Sequence, residues 1–277
     1  MEIIDATFQR DFVFGPKANG TSGAITYHFH DAYELLYLIS GNLQFFIADR
    51  LYSVSPENAI LIPKHTIHKS QNRASIYERI VWNFTDTFLD SSILPHLNHL
   101  CEHPVYQPNA DYMHDMIRKF KTEQYREAQG DPFAADCSRH YLNLMLAHFI
   151  RNETQYTISG SSLANPTIDR IVHFINEHYG EPLRLRDIAK MLNLSPNYLS
   201  RIFVETTGFR FKEYLTGIHV QNARRLLEDT DLPIHVVAER CGFEDSNYFS
   251  SAFKTVVGLS PQTPQKAGLL IRNPAHF

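Results

Sequence analysis

A short motif occurs twice in the C-terminal part of the chain, and this duplication is the feature that most limits the possible folds. The first copy runs from Asn197 to Gly208 and the second from Asn247 to Gly258, so a constant offset of 50 positions relates them. Asn, Tyr, Ser, Phe and Gly recur at this offset, and a short apolar helical pattern precedes each copy. Self-similarity at a fixed period indicates two copies of one supersecondary unit.

The first copy has the residue pattern of a helix-turn-helix. Ala189 is small enough for a second helix to cross close to the first, and Asn193 can adopt the left-handed backbone of a tight connection. Ser195 and Pro196 suit the N-cap and the first position of the next helix. Leu199 is then expected to pack that helix against the first. In such a motif the second helix can enter the DNA major groove and present its N-terminal residues to base edges.

The second copy repeats the pattern, and the spacing from its cap to its inward apolar residue is expected to be one residue longer. Ala238 is the small residue and Gly242 lies at the turn. Asp245 or Ser246 is expected to cap the second helix, and Tyr248 is expected to face inward. Ordinary helical hairpins also carry single patterns of this kind, but simple helical packing explains two tandem copies much less well.

Further helices are predicted around the two motifs. An apolar stripe that begins near Pro166 and ends at Gly180 indicates the first helix of the domain. A long helix from Phe211 to Glu228 is predicted to join the two copies. Its stiffness would place the two recognition helices one DNA turn, ~34 Å, apart if both enter successive major grooves.

The same segments resemble the DNA-binding domain of AraC/XylS-type transcription regulators over about the last 110 residues. The matching segments are Ile188-Ala189, Tyr198–Phe203, Thr207-Gly208, Ala223–Leu227, Val237-Ala238, Gly242-Phe243, Tyr248–Ser250, Phe253-Lys254, Gly258 and Ser260-Pro261. The resemblance implies a cytoplasmic, sequence-specific transcription regulator rather than an enzyme. It further implies double-stranded DNA, a small-molecule effector such as a sugar or related metabolite, a second copy of the chain and RNA polymerase as candidate partners.

The predicted DNA contacts lie on the two recognition helices. Arg can read guanine and Asn can read adenine through paired hydrogen bonds, whereas Ser and Lys more often hold phosphates. The predicted contacts are Asn197, Tyr198, Ser200 and Arg201 on the first helix, and Ser246, Asn247, Ser250, Ser251 and Lys254 on the second. The alternative for each residue is a solvated helix face, and for Tyr198 and Tyr248 a place in the core.

Three positions depart from the family pattern. Ser251 stands where the family often has Arg, and His219 stands where the linking helix often has Arg. The tail after Pro261 lacks the usual aromatic-Arg ending, and Pro264 is expected to shorten or break the last helix. Binding through the second motif is therefore expected to be weaker than through the first.

Charge and composition agree with this interpretation. The net charge of the chain is −4. Residues 1–166 contain 13 Lys and Arg and 18 Asp and Glu, which gives −5. Residues 167–277 contain 13 Lys and Arg and 12 Asp and Glu, which gives +1. Binding to DNA must therefore depend on where the charges lie. Three cysteines without paired spacing suit a reducing compartment. No apolar run reaches the roughly 18 residues of a membrane helix, and the N-terminus lacks the pattern of a secretory signal.

Residues 3–84 show many short strand patterns at regular spacing, which is typical of a barrel or sandwich. Gly15-Pro16 is expected to form a turn after the strand at Phe12–Phe14, and Ala48–Arg50 is expected to form a hairpin loop. The segment Ile76–Phe84 alternates, so Ile76 is expected to share one face with Trp82 and Phe84.

A set of His and Glu residues in this region resembles the metal-binding motifs of cupin barrels. His28, His30 and Glu34 match the first motif, and His68 belongs to a partial second motif in which Glu57 and His65 replace the usual Gly. Two interpretations follow. In the first, a metal-free effector pocket is lined by His28, His30, Glu34, Tyr37, Phe46, His68 and Trp82. In the second, a divalent transition metal bound by His28, His30, Glu34 and His68 serves a cupin enzyme or metal sensor fused to the DNA-binding domain.

The chain as a whole is predicted to be a two-domain α+β protein. Residues 1–155 are expected to form a cupin-like β-barrel with flanking helices that binds effector and, by resemblance, dimerises through those helices. Helical patterns at Tyr112–Phe120 and from Pro132 onward supply these helices, with Pro132 expected to open the second. Residues 156–166 have the composition of a linker. Residues 167–277 are expected to form an all-α domain of two helix-turn-helix motifs joined by a long helix.

Overall fold

The computed structural model describes residues 11–18, 32–71, 76–156 and 165–263. The first three ranges contain the strands β1 (Phe12–Ala18), β2 (Tyr33–Ser40), β3 (Leu43–Ile47), β4 (Arg50–Val54), β5 (Ala59–Ile62), β6 (His68–Gln71), β7 (Glu78–Phe84) and β8 (Val105–Tyr106). They also contain a 3-10 turn (Asp86–Phe88) and the helices α1 (Leu94–Glu102), α2 (Ala110–Ala128), α3 (Ala134–Arg151) and α4 (Glu153–Tyr156). The last range contains α5 (Pro166–His178), α6 (Leu185–Met191), α7 (Pro196–Thr207), α8 (Phe211–Asp229), α9 (Ile234–Arg240) and α10 (Ser246–Val257).

The strands form two antiparallel sheets, in the orders β1-β7-β2-β5-β8 and β4-β3-β6. Because side chains alternate across a strand, each sheet turns one set of residues toward the other sheet. These inward residues form one apolar cluster: Leu36, Leu38, Leu43, Phe45, Ile47, Tyr52, Val54, Ile60, Ile62, Tyr77, Val81 and Val105. The structure confirms the predicted β-rich N-terminal domain, and the space between its sheets is filled by buried apolar side chains.

Helices cover the outer face of the five-stranded sheet. Leu35, Tyr37 and Trp82 lie on this face and are completely buried. They belong to a second apolar cluster to which α2 contributes Phe120 and α3 contributes Leu142. The helical patterns predicted for this part of the chain are therefore confirmed, and their apolar faces pack on the barrel.

Three local predictions in the N-terminal domain were wrong. Gly15-Pro16 forms no turn, because β1 continues through Pro16, which pairs with Ile80. Proline is tolerated there because β1 lies at the edge of its sheet. Ile76 precedes β7 and is 80% exposed, so it does not share the buried face of that strand. The helix α3 begins at Ala134 rather than at Pro132.

Two positions in the second cupin-like motif keep a glycine-like backbone without glycine. Glu57 has a φ of 67° and His65 a φ of 61°. Both angles lie in the left-handed region that a side chain disfavours. The turn geometry is therefore retained although the residue type has changed. The hairpin loop at Ala48-Asp49 between β3 and β4 is also confirmed, with Ala48 at a φ of 55°.

The C-terminal domain agrees closely with the expected helices. Asn165 caps α5 by accepting hydrogen bonds from the amides of Thr167 and Ile168. Residues 157–164, which include most of the predicted linker, lie outside the described residues, so the domain boundaries remain predictions. The long helix α8 begins at Phe211 and ends one residue beyond the predicted end. None of the helices that the structure describes has the length and apolar character needed to cross a bilayer.

The outer face of the three-stranded sheet packs against the C-terminal domain. The Phe46 ring in β3 meets the rings of Phe209 and Tyr214 edge to face, at centroid distances of 5.8 and 5.7 Å. A Cβ atom added to Gly217 in α8 would lie 2.8 Å from Cδ1 of Ile67. Side chains from both domains therefore form one continuous apolar cluster, and α8 approaches the barrel closely.

Hydrogen bonds reinforce this contact between the domains. Nζ of Lys69 donates to the carbonyl oxygen of Gly208 over 2.6 Å, and burial lowers the pKa of Lys69. The Asn176 amide donates to the Tyr214 hydroxyl over 3.3 Å, and that hydroxyl donates to the carbonyl of Ala48 over 3.0 Å. The two hydrogen bonds that meet at the Tyr214 hydroxyl link α5, α8 and the β3–β4 turn. Polar and apolar contacts together hold the domains in one arrangement.

Candidate DNA-binding surface and effector residues

The first recognition helix, α7, is held in place by the features that the sequence predicted. Asn193 has a φ of 54° in the turn after α6. The Ser195 hydroxyl accepts from the amide of Tyr198 over 3.2 Å and caps the helix, and Pro196 is its first residue. Leu199 is completely buried. The buried side of α7 is thus fixed against the domain core, and its N-terminal residues are exposed.

The second recognition helix, α10, has the same construction. Gly242 adopts a φ of 79° after α9. Asp245 caps the helix by accepting from the amide of Asn247 over 2.7 Å and from that of Tyr248 over 3.4 Å. Phe249 is completely buried at the position equivalent to the buried leucine of α7. The spacing from the cap to the buried apolar residue is the same in both motifs, Ser195 to Leu199 and Asp245 to Phe249, so the expected longer spacing was wrong. The extra residue of the second motif lies between its turn and its cap.

All nine predicted DNA-contact residues lie on exposed parts of these two helices, namely Asn197, Tyr198, Ser200, Arg201, Ser246, Asn247, Ser250, Ser251 and Lys254. The structure therefore gathers each set on one helix face, as a groove-reading surface requires. Their contact with DNA remains a prediction.

The two helices distribute positive charge differently. Arg201 of α7 corresponds to the uncharged Ser251 in α10, as the sequence indicated. Lys254 of α10 corresponds to Val204, which is 38% exposed in α7. The second helix therefore carries its cation about one turn closer to its C-terminus, where a long side chain more readily reaches a phosphate than a base edge.

Two tyrosines flank the predicted reading surface. Tyr198 is 44% and Tyr248 46% exposed, so the expectation that Tyr248 faces inward was wrong. Phe249, its neighbour in sequence, occupies the inward position, because one residue along a helix turns the side chain by about 100°. The Arg201 guanidinium lies 5.6 Å from the Tyr198 ring centre. The ring can therefore hold the guanidinium in position on the helix surface.

His219 of α8 lies inside the C-terminal domain rather than on its DNA-facing side. Its ring is 5.3 Å from that of Phe243, and a Cβ atom added to Gly242 would lie 3.0 Å from its Cε1. Burial lowers the pKa of His219 to about 4, so the ring is neutral near pH 7. A neutral, buried ring does not supply the positive charge of the arginine that the family often has at this position.

The predicted effector residues that the structure describes do not form one group. His28 and His30 lie outside the described residues. Glu34 and His68 face the interior of the barrel and are 3% and 1% exposed. Asn83, which sequence reasoning missed, pairs with Glu34 across β2 and β7 and faces the same way. Alternation along β7 could have identified it.

The three aromatic candidates lie elsewhere. Tyr37 and Trp82 face the helices on the outer side of the sheet, and Phe46 contacts the C-terminal domain. The Tyr37 hydroxyl and the Trp82 indole nitrogen are buried and have no hydrogen-bond partner among the described residues. Burial raises the pKa of Tyr37 to about 12. These three side chains therefore line the packing surfaces of the barrel rather than its interior.

The metal-binding interpretation keeps two of its four ligands within the described residues. Glu34 and His68 both face inward. Across the part of the chain that the structure describes, no three His, Cys, Asp or Glu residues are grouped so that they could hold a metal ion. The three cysteines, all in described segments, are free thiols.

Comparison with known proteins gives a family match for each half of the chain. Residues 13–136 match the family model of an AraC-like ligand binding domain, and residues 188–267 match that of a helix-turn-helix domain. The chain is 38% identical over 91 residues to the uncharacterized HTH-type transcriptional regulator YpdC of Escherichia coli K12, covering 33% of this chain and 32% of YpdC. It is 25% identical over 258 residues to the melibiose operon regulatory protein of the same strain, covering 87% and 83%.

The lengths of these matches differ. The chain spans about a third to a half of the length of YpdC and of two further regulators that it matches. Among solved structures, the DNA-binding domain of AdpA in complex with a target DNA is 28% identical to this chain, with a TM-score of 0.37. The match covers 40% of this chain and 99% of the AdpA chain. YpdC, the melibiose operon regulatory protein and the two further relatives matched by sequence are all described as regulators, which does not favour the interpretation as a metal-dependent enzyme. The ligand-binding domain, the helix-turn-helix domain and the relatives that extend over most of the chain show that this protein belongs to the AraC/XylS family of transcription regulators.

Proposed function

We propose that the chain is a sequence-specific DNA-binding transcription regulator that acts in the cytoplasm as a homodimer and responds to a small-molecule effector. The observation that carries the proposal is the pair of recognition helices. Each is capped by a side chain, anchored by a buried apolar residue and exposed at its N-terminal polar residues. A pair of such helices joined by the rigid α8 suits two successive major grooves on one DNA face.

The direct test is DNA binding at fixed salt with a sequence selected from a random pool. Arg201→Ala removes the one cation on the exposed face of α7, and we expect a loss of about 1–3 kcal/mol together with relaxed specificity at one base position. Arg118→Ala, in the other domain, removes an exposed arginine and serves as the matched control. Equal affinity of the two variants would exclude Arg201 from the interface.

A sugar is the effector class that the relatives favour. One of the relatives that match over most of the chain is a melibiose operon regulatory protein, and melibiose is a disaccharide. A full-length thermal-shift screen against mono- and disaccharides tests this class, because a ligand at 100 times its Kd adds about 2.7 kcal/mol of stability. If no sugar in the screen raises the melting temperature, the proposed sugar response is contradicted, whereas the DNA-binding proposal is unaffected.

The homodimer is proposed from the exposed surface of α2 and α3. Leu144 of α3 is 61% exposed. Beside it the rings of Tyr112 and His148 stack with centroids 4.0 Å apart, and burial lowers the pKa of His148. An exposed leucine beside a neutral, stacked aromatic pair suits an interface between copies of one chain.

A further inference from the structure

A cavity of about 1230 Å³ lies between the barrel and the C-terminal domain. Its barrel side is formed by the β3–β4 turn, the segment after β5 and the start of β2, and its other side by α5 and α8. The volume exceeds the range of about 300–1,000 Å³ that is usual for small-molecule pockets. The space can therefore hold a mono- or disaccharide together with bridging water.

Neutral polar groups face this cavity from both domains. Asn98 of α1 lies on the barrel side, and Asn176, Gln221 and Asn222 lie on the other side. The amide nitrogen of Asn222 is bonded to the carbonyl of Ile218 over 2.9 Å, which leaves its amide oxygen directed to other partners. Side-chain amides donate and accept hydrogen bonds at once, as adjacent hydroxyl groups of a polyol require.

The charges of the cavity wall balance each other. Apart from Tyr33 and His65, its ionisable side chains are three basic and three acidic groups: Lys64, Arg224, Arg225, Asp49, Glu228 and Asp229. The guanidiniums on α8 pair along the helix, with Nε of Arg224 2.8 Å from Glu228 and Nε of Arg225 3.6 Å from Asp229. Lys64 forms an ion pair with Asp86, and Asp49 lies 4.0 Å from Nε of Arg50. Because each of these charges has an opposite charge nearby, the wall favours an uncharged ligand over an anion or a cation.

Within the described residues, the barrel interior offers less room for such a ligand. Large apolar side chains of both sheets fill the space between them and are 6% exposed or less. The described polar residues that are buried on the inward strand faces include Glu34, His68, Ser70 and Asn83. We infer that the effector, a neutral polyhydroxylated molecule, binds in the cavity between the domains rather than inside the barrel. This inference rests on the proposed sugar response.

Binding in this position couples the effector to the DNA-binding domain. A ligand there contacts the barrel and the helix that joins the two recognition motifs. It also lies beside Ala48 and Asn176, the two ends of the hydrogen-bond chain through Tyr214. The ligand therefore has more contacts in the docked arrangement than in any separated one, and it shifts the population toward the docked arrangement. DNA affinity then changes through the orientation of α8.

The test is sugar binding to the full-length chain, measured by calorimetry with the panel of mono- and disaccharides used for the screen. Gln221→Leu on α8 and Asn98→Ala on α1 remove amides from the two opposite walls. Glu34→Gln and Asn83→Leu alter the barrel interior instead. We expect the cavity double variant to weaken sugar binding at least about tenfold, since each lost hydrogen bond weakens binding several-fold, and the barrel variants to leave it unchanged.

Two results would overturn the inference. The first would leave the proposed sugar response intact, and the second would contradict it as well. Sugar binding that is lost in Glu34→Gln and retained in the cavity variant would place the effector inside the barrel and leave the proposed sugar response intact. If the wild-type chain binds no sugar, both the proposed sugar response and the proposed cavity site are contradicted. Melting curves of each variant without sugar separate lost binding from lost folding.

Discussion

At the scale of single residues, His219 makes the stability of the C-terminal domain dependent on pH. Its folded-state pKa is about 4 against an ordinary value of 6.5. The unfolded chain therefore binds a proton between these values while the folded chain does not, so stability falls as the pH is lowered from 6.5 toward 4. One pKa unit corresponds to about 1.4 kcal/mol, so we expect a loss of about 2 kcal/mol between pH 6.5 and about 5.

The variant His219→Asn tests this dependence by chemical denaturation at several pH values. Its unfolding free energy should vary less with pH over the same range, although the variant is less stable at pH 7. His235→Asn, at an exposed position of the same domain, should keep the wild-type slope. A wild-type slope in His219→Asn would show that other groups cause the acid sensitivity.

The backbone at Glu57 gives a second prediction for a single residue. Its positive φ disfavours any side chain, and the residue is exposed. We expect Glu57→Gly to raise the unfolding free energy by up to about 1 kcal/mol, because relief of the left-handed strain exceeds the added freedom of the unfolded chain. Glu57→Ala removes the same charge and keeps the strain. An equal gain in both variants, measured by denaturation, would assign the effect to charge instead.

At the scale of helices and strands, the sequence predicted what local chemistry decides. Ser195, Pro196 and Asn193 fix the start of α7 through hydrogen bonds and backbone angles that depend on a few neighbouring residues. The same reasoning failed at Tyr248 and Pro16, whose surroundings depend on distant parts of the chain. Periodicity could not show that Phe249 takes the inward position, nor that β1 is an edge strand that tolerates proline.

The unequal charge of the two recognition helices leads to a prediction for α10. Ser251→Arg restores an exposed cation at the position equivalent to Arg201. We expect affinity for the selected DNA to rise about tenfold at low salt, and the slope of log affinity against log salt to steepen by about one. Ser260→Arg adds the same charge just beyond the helix. A similar gain in that control would mean that the effect is general attraction rather than a contact made by α10.

The exposed face of α3 gives a prediction for self-association. Leu144→Glu places a charge at the centre of the proposed interface, and burying that charge without a partner is unfavourable. We expect the variant to sediment as a monomer at concentrations at which the wild-type chain is dimeric. Met191→Glu alters a residue that is 58% exposed in the other domain and should leave the dimer intact. A dimeric Leu144→Glu variant would place the interface elsewhere.

At the scale of the whole molecule, the contact between the domains is the feature that the sequence did not reveal. Phe46 was predicted to line an effector pocket because aromatic residues in a barrel can stack on ligands. Its side of β3 is instead buried against Phe209 and Tyr214. Alternation identifies the two faces of a strand, but it does not say whether an apolar outer face meets a ligand, a helix or another domain. The other predicted effector residues with an aromatic side chain, Tyr37 and Trp82, face the helices for the same reason.

Gly217 is the position at which this docking can be tested without disturbing either domain. Leucine favours a helix more than glycine by nearly 1 kcal/mol, so Gly217→Leu should keep α8 folded while its side chain takes the space of Ile67. We expect the domains to separate, with a larger radius of gyration in solution scattering and faster amide exchange at Ile67–Lys69. Gly217→Ala is the control, because the methyl end of Ile67 can move by the small distance that a single Cβ requires.

Separation of the domains should also weaken sugar binding in Gly217→Leu, because a site built from both domains is lost when they part. A sugar site inside the barrel would bind equally well in the docked and separated forms. Unchanged sugar affinity together with an enlarged radius of gyration would therefore show that the effector does not depend on docking. If the sugar affinity falls in Gly217→Leu and is retained in Gly217→Ala, effector binding depends on docking of the domains. Docking would then be the step that couples the bound effector to α8 and to both recognition helices.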